Sequence, residues 1–171
     1  MTTIALNLQA VRERIERAAS RHARQASEIA LLAVSKTCPP SYIEEAFNAG
    51  QKAFGESYAQ EAVKKITALA PLDLQWHFIG PLQSNKTKLV AERFQWVHAI
   101  ERERIAERLS AARADELPPL DVCIQVNVSG EGSKSGVAPG DERRLAEVIA
   151  GLPRLRLRGL MAIPEPTGLS V

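Results

Sequence analysis

Apolar and charged residues open the chain in a helical rhythm. Leu8, Val11, Ile15, Ala18 and Ala19 recur at three- and four-residue steps, with Arg12, Glu13, Glu16 and Arg17 between them. One face is apolar and the other wet, which predicts a helix over residues 4–25. No proline or glycine interrupts that stretch. The rhythm changes at Ile29-Ala-Leu-Leu-Ala-Val34, a nearly continuous apolar run. Such a run predicts a strand covered by helices on both faces. Pro39 and Pro40 end the strand region. Ser41 and Glu44 have the spacing of a capping box for the next helix, and Gly50 is a natural stop for it.

The cycle then repeats. A short strand is expected around 52–54, followed by a helix that Ser57 and Gln60 can cap. Further strands are expected at 74–79, 94–99, 122–128 and within 155–163. Helices start at Ser84 or Asn85, cover 101–114, and begin again at Asp141. One leading helix and about six β/α steps result. The intervals are long enough for the crossovers that parallel strands need. The class is therefore α/β, with an open doubly wound sheet and a closed barrel both compatible with the rhythm.

Composition narrows this only a little. The chain has 171 residues, 45% hydrophobic and 25% charged, which suits one domain spanning 1–171 with a real core. There is no internal repeat or obvious linker. Lys and Arg number 22 against 20 Asp and Glu, and a net charge of +2 gives no reason to expect a nucleic-acid partner. Arg154, Arg156 and Arg158 alternate with Leu155 and Leu157, as on the wetter side of a strand. Cys38 and Cys123 lack metal-ligand spacing and fit a reduced, cytoplasmic chain. No segment reaches the roughly 18 apolar residues of a membrane span. The first residues lack the basic region of a secretory signal.

Candidate chemistry gathers at strand ends. Leu32, Val34 and Lys36 share one side of the first strand, and Lys36 stands at its C-terminal end. There it can bind an acidic group, condense with a carbonyl as a neutral amine, or remain a solvated loop lysine. Gln75 and His77 share a side, as do Gln125 and Asn127. His77 can orient a ligand ring or serve as a hydrogen-bonded structural histidine. Asn127 can contact a ligand or stabilise a loop. Ser84 and Asn85 can cap a helix or touch a ligand, with Lys86 and Lys88 nearby to attract phosphate. The loop 129–136 has neither Walker nor dinucleotide glycine spacing, and Lys134 is its only strong cation. His22, His77 and His98 do not make a convincing metal set.

Several stretches in combination carry a family resemblance. They are Ala33-Val-Ser-Lys36-Thr, Phe54-Gly-Glu-Ser57-Tyr-Ala-Gln-Glu61, Trp76-His-Phe-Ile-Gly-Pro-Leu-Gln-Ser-Asn-Lys-Thr87, Ile124-Gln-Val-Asn-Val, Ser133-Lys-Ser-Gly136 and Leu157-Arg-Gly-Leu-Met-Ala-Ile-Pro164. From about residue 4 to 166 the chain resembles the pyridoxal-phosphate homeostasis family. The resemblance implies an alanine-racemase-like TIM barrel of fold-type III, here with about six of eight β/α units after an N-terminal helix. It implies a single partial barrel domain over 1–171 that binds pyridoxal 5'-phosphate and maintains vitamin B6 and amino-acid balance without clear turnover. The cofactor would be held as a Schiff base on Lys36.

By the same resemblance His77 and Asn127 line the cofactor side, Ser84 and Asn85 shape the mouth, Ser133 and Lys134 lie on a nearby loop, and Met161 approaches the cofactor edge. Ser57 stands where the family pattern has Asn, which exchanges an amide's reach for a hydroxyl. The family continues past the Met-Ala-Ile-Pro segment. Its last two strands, with a Ser-Met-Gly-Met-Ser-like and an Arg-Ile-Gly segment, carry most phosphate binding, and no equivalent precedes Val171. The expectation is thus impaired cofactor binding by a monomer or weak homodimer with exposed sheet edges. A racemase-like enzyme is the alternative, with Tyr58 the one residue to consider as a second base.

Overall fold

The Thr2 hydroxyl accepts from the Ala5 amide at 3.3 Å and starts α1 (Thr3–Arg21). The helix stops four residues before the predicted end. Ala23 takes a left-handed φ of 52°, and the Arg24 and Ala23 amides turn back to the Ala19 and Ser20 carbonyls at 3.0 and 3.4 Å. This closure normally uses glycine, and an alanine in its place leaves no mark in the sequence. The computed structural model describes residues 2–130 and 135–164, in two units that divide after Trp76.

In the first unit β1 is only Ala33–Val34, paired in parallel with β2 (Ala53–Glu56) through Ala33↔Phe54 and Val34↔Gly55. Val34 is 53% exposed, so the expected burial on both faces does not hold for this strand. Ser35 begins a turn that cuts the ladder short, and an apolar run alone does not say which face is covered. The helix α2 (Pro40–Asn48) begins with Pro39 as cap and Pro40 at its first position. The Ser41–Glu44 capping box does not form, because proline's fixed φ and missing N–H suit the first turn better. Gly50, at φ 86°, ends the helix as expected, with the Gly50 and Gln51 amides reaching the Phe47 and Ala46 carbonyls at 2.8 and 3.0 Å. In α3 (Ala59–Ala68) Tyr58 is the cap residue, and no side-chain cap bond forms, so Ser57 and Gln60 do not play the predicted part.

The strand β3 (Gln75–Phe78) supplies the first residues of the second unit. There β3, β4 (Trp96–Ile100), β5 (Leu120–Gln125) and β6 (Leu155–Met161) pair in chain order, every pair parallel. The connections are α4 (Thr87–Arg93), α5 (Glu103–Ala112) and α6 (Glu142–Ala150). Every residue of β5 is buried, so this is the strand that meets the two-sided expectation. Ser84–Lys86 forms a single tight 3-10 turn ahead of α4, and the Thr87 hydroxyl donates to the Ser84 carbonyl at 2.9 Å. Asp141 occupies the cap position of α6 without a side-chain cap bond.

Phe78 meets Phe94 edge to face at 5.4 Å, with Val97, Ile100, Val122 and Ile124 fully buried around the same ladder. Each such side chain contributes about 1.5–3 kcal/mol on burial. Arg113 is buried and donates to the carbonyls of Ala91, Phe94 and Pro118, tying the end of α4 to the entry of β5. Among the described residues, no helix is long and apolar enough to cross a membrane.

Candidate functional site

Lys36 lies in an exposed turn just past the end of β1. The turn is Ser35 to Cys38, closed by the Cys38 amide on the Ser35 carbonyl at 3.1 Å. Thr37 adopts φ 63°, a left-handed conformation that is rare for a β-branched residue. Its amide donates to Glu61 Oε1 at 2.7 Å. Among the described residues, the Lys36 ammonium has no hydrogen bond or ion pair.

Lys65 is the opposite case. Its side chain is 5% exposed, and its Nζ donates to the Ser35 carbonyl at 2.7 Å, to Glu56 Oε1 at 2.8 Å and to Glu61 Oε1 at 2.6 Å. Ser35 Oγ also donates to Glu56 Oε1, at 2.6 Å. Burial pushes the Lys65 pKa down, but the two carboxylates outweigh it and raise it above the ordinary value. Lys65 lowers the Glu61 pKa in return, assisted by the Thr37 amide. Glu56 is fully buried, and its Oε2 lacks a hydrogen-bond partner among the described residues. Sequence reading gave no role to Glu56, Glu61 or Lys65. The four-residue spacing of Glu61 and Lys65 on α3 was the signal available.

In the second unit His77 is 7% exposed and stacks on Trp96, ring centroids 5.3 Å apart and planes 13° from parallel. Its Nδ1 lies 2.9 Å from His98 Nε2. Burial, and then the neighbouring His98, push the His77 pKa down to about 4, while burial also lowers that of His98. Both shifts favour the neutral ring, and a shared N–H···N bond needs one unprotonated nitrogen to accept it. Arg158 lies over the other part of this cluster, 5.7 Å from the Trp96 ring. Asp121 receives both Arg156 and Arg158. Burial alone would raise its pKa, but the guanidiniums outweigh that and lower it. The wet face expected for Arg156 and Arg158 is present, but its arginines are engaged with a carboxylate that sequence reading overlooked. Its sign was an Asp inside an apolar strand. No group of three or more His, Cys, Asp or Glu side chains suited to a metal occurs among the described residues.

Asn127 follows β5. Its Oδ1 accepts from the Gly130 amide at 3.1 Å and from the Ser129 hydroxyl at 3.4 Å, while its own amide donates to the Val137 carbonyl at 2.9 Å. Gln125 Nε2 donates to the Ser135 carbonyl at 2.9 Å. Gly136, at φ 128°, lies so close to this strand end that a Cβ there would be 2.7 Å from the Asn127 nitrogen, and its amide donates to Glu101 Oε2. Met161 ends β6, its carbonyl accepting from the Val126 amide at 2.8 Å. Thus Asn127 and Met161 stand at the C-terminal ends of neighbouring strands. Ser84 is half-buried and Asn85 exposed in the turn before α4. Ser57 is half-buried between β2 and α3. Lys134 and Ser133 lie outside the described residues. Cys38 and Cys123 are free thiols.

The alanine racemase N-terminal domain family matches residues 6–165. The pyridoxal phosphate homeostasis protein of Pseudomonas aeruginosa is 59% identical over 167 residues, covering 98% of this chain and 73% of that protein. The protein of the same description from Escherichia coli is 58% identical, covering 97% and 72%. Among solved structures, PipY of Synechococcus elongatus with pyridoxal phosphate bound is similar at a TM-score of 0.75 and 38% identity, over 91% of this chain and 72% of that one. An alanine racemase of Corynebacterium glutamicum, at 14% identity and a TM-score of 0.58, over 77% of this chain and 38% of that one, shares the fold.

Proposed function

The chain belongs to the pyridoxal phosphate homeostasis protein family, and on that membership we propose that it holds pyridoxal 5'-phosphate through Lys36 and serves vitamin B6 and amino-acid balance without catalytic turnover. The carrying observation is the contrast between two lysines. The Lys65 ammonium donates to three oxygens and is held protonated, so it is a poor nucleophile. The Lys36 ammonium has no polar partner among the described residues and stands in an exposed turn at a strand's C-terminal end. An amine so placed fits an incoming carbonyl. When bound, the cofactor would supply an aldehyde group, and the Lys36 amine would be the residue that holds it.

The remaining roles in this reading belong to the strand ends. His77, neutral and fixed by Trp96 and His98, presents a ring edge without a charge. Asn127 and Met161 line the adjoining strand ends, Ser84 and Asn85 the turn before α4, and Ser57 the bend after β2. Lys134, outside the described residues, belongs to the same reading by the family resemblance alone. In this reading the chain acts as one domain, in the cytoplasm, as a monomer or weak homodimer.

The test is direct. The purified chain is titrated with pyridoxal phosphate, reduced with borohydride, digested and mapped by mass. A pyridoxyl label on Lys36, with Lys65 unmodified, is the expected result. A label confined to another lysine, or none at saturating cofactor, overturns the reading. Incubation of the loaded chain with L-alanine is expected to give no D-alanine.

A further inference from the structure

The turn that carries Lys36 is held in an unfavourable shape by side chains of α3. Four contacts fix it. The Thr37 amide donates to Glu61, the Ser35 carbonyl receives Lys65 Nζ together with the Cys38 amide, and the Lys65–Glu61 pair at 2.6 Å locks the two anchors to each other. Lys36 sits between the anchored residues and has no polar contact of its own among the described residues. Its direction is therefore set through the backbone. A threonine at φ 63° persists only where its surroundings over-determine it.

We propose that Glu61 and Lys65 are positioning residues for Lys36: they hold Thr37 in the left-handed conformation that aims the amine. This inference rests on the function proposed above. Glu61 is the better probe of it. Its side chain is 33% exposed against 5% for Lys65, so its removal disturbs the packing less, and Lys65 keeps Glu56 as a partner.

The experiment measures the rate at which pyridoxal phosphate labels Lys36 under borohydride, in the full chain and three variants. Glu61→Ala removes the acceptor and is expected to slow labelling about tenfold, the population shift that a strained non-glycine residue implies. Glu61→Gln keeps an acceptor for the Thr37 amide and is expected to retain most of the rate. Glu61→Ala combined with Thr37→Gly is expected to recover to within about twofold of the unaltered chain, because glycine needs no support at this φ. A merely structural ion pair gives no reason for that rescue.

Labelling of Lys36 at the unaltered rate in Glu61→Ala, or no recovery with Thr37→Gly, overturns the positioning role and leaves the Lys36 reading intact. Absence of label in the unaltered chain overturns the Lys36 reading. Hydrogen exchange of the Thr37 amide, followed by NMR without cofactor, decides the turn separately. Slow exchange is expected, and fast exchange in the unaltered chain overturns the anchor even if Glu61→Ala fails to fold.

Discussion

Replacing Lys65 by methionine tests the buried network most severely. Methionine keeps an unbranched apolar stem of similar length, so packing changes little. The charge is what disappears. Lys65 and Glu56 have side chains 5% and 0% exposed, so neither can turn to water when its partner goes. Glu56 Oε2 already lacks a partner among the described residues, and Oε1 would keep only the Ser35 hydroxyl at 2.6 Å. The Ser35 carbonyl would lose its 2.7 Å donor as well. Removing one partner of a buried pair costs about 3–5 kcal/mol, a large part of the roughly 5–15 kcal/mol that stabilises a domain.

Urea unfolding followed by circular dichroism measures this as a fall in midpoint at constant slope. The double variant Lys65→Met with Glu56→Gln removes both charges. It is expected to be more stable than Lys65→Met alone by about 2 kcal/mol. A single-variant loss below about 1 kcal/mol, the scale of an exposed pair, would refute the picture of a desolvated network. The pH dependence has a defined sign. Because the folded Lys65 pKa is raised, its contribution is complete below the ordinary value of 10.5 and fades as pH climbs through the raised one.

Three further outcomes follow from other parts of the molecule. His77 titrates near 4 when folded and 6.5 when not, so unfolding free energy should fall as pH drops from 6.5 to 4, by up to about 3 kcal/mol. Urea titrations across that range should show the slope, and His77→Gln should flatten it; an unchanged slope rejects the assignment. Gly136→Ala sets a Cβ 2.7 Å from backbone at a φ of 128°, and a loss of at least about 2 kcal/mol is expected in the same assay. Arg113→Met leaves the carbonyls of Ala91, Phe94 and Pro118 without their donor, and a thermal melt should show destabilisation of about 3 kcal/mol.

The alternation of apolar runs with amphipathic stretches determined the α/β class, the order of elements and the place of Lys36 beyond the first strand. Those features are local: a period of two or three to four residues is written in neighbouring side chains. Even the stop at Gly50 was legible, since a left-handed closure selects glycine. Element ends were less so. Ala23 closes α1 through backbone hydrogen bonds that no residue type announced, and Pro40 starts α2 because its fixed φ suits the first turn better than the Ser41–Glu44 box.

The chemistry around the lysine was decided only in three dimensions. Glu56, Glu61 and Lys65 read as ordinary charges on a strand end and a helix, and folding placed two of them out of water with no exit. His77 and His98 are 21 positions apart and share a hydrogen bond because parallel strands set them side by side. Asp121 is a carboxylate in an apolar run until two arginines on the next strand meet it. Desolvation and partner choice depend on what lies across the ladder. No periodicity along one strand records its neighbour.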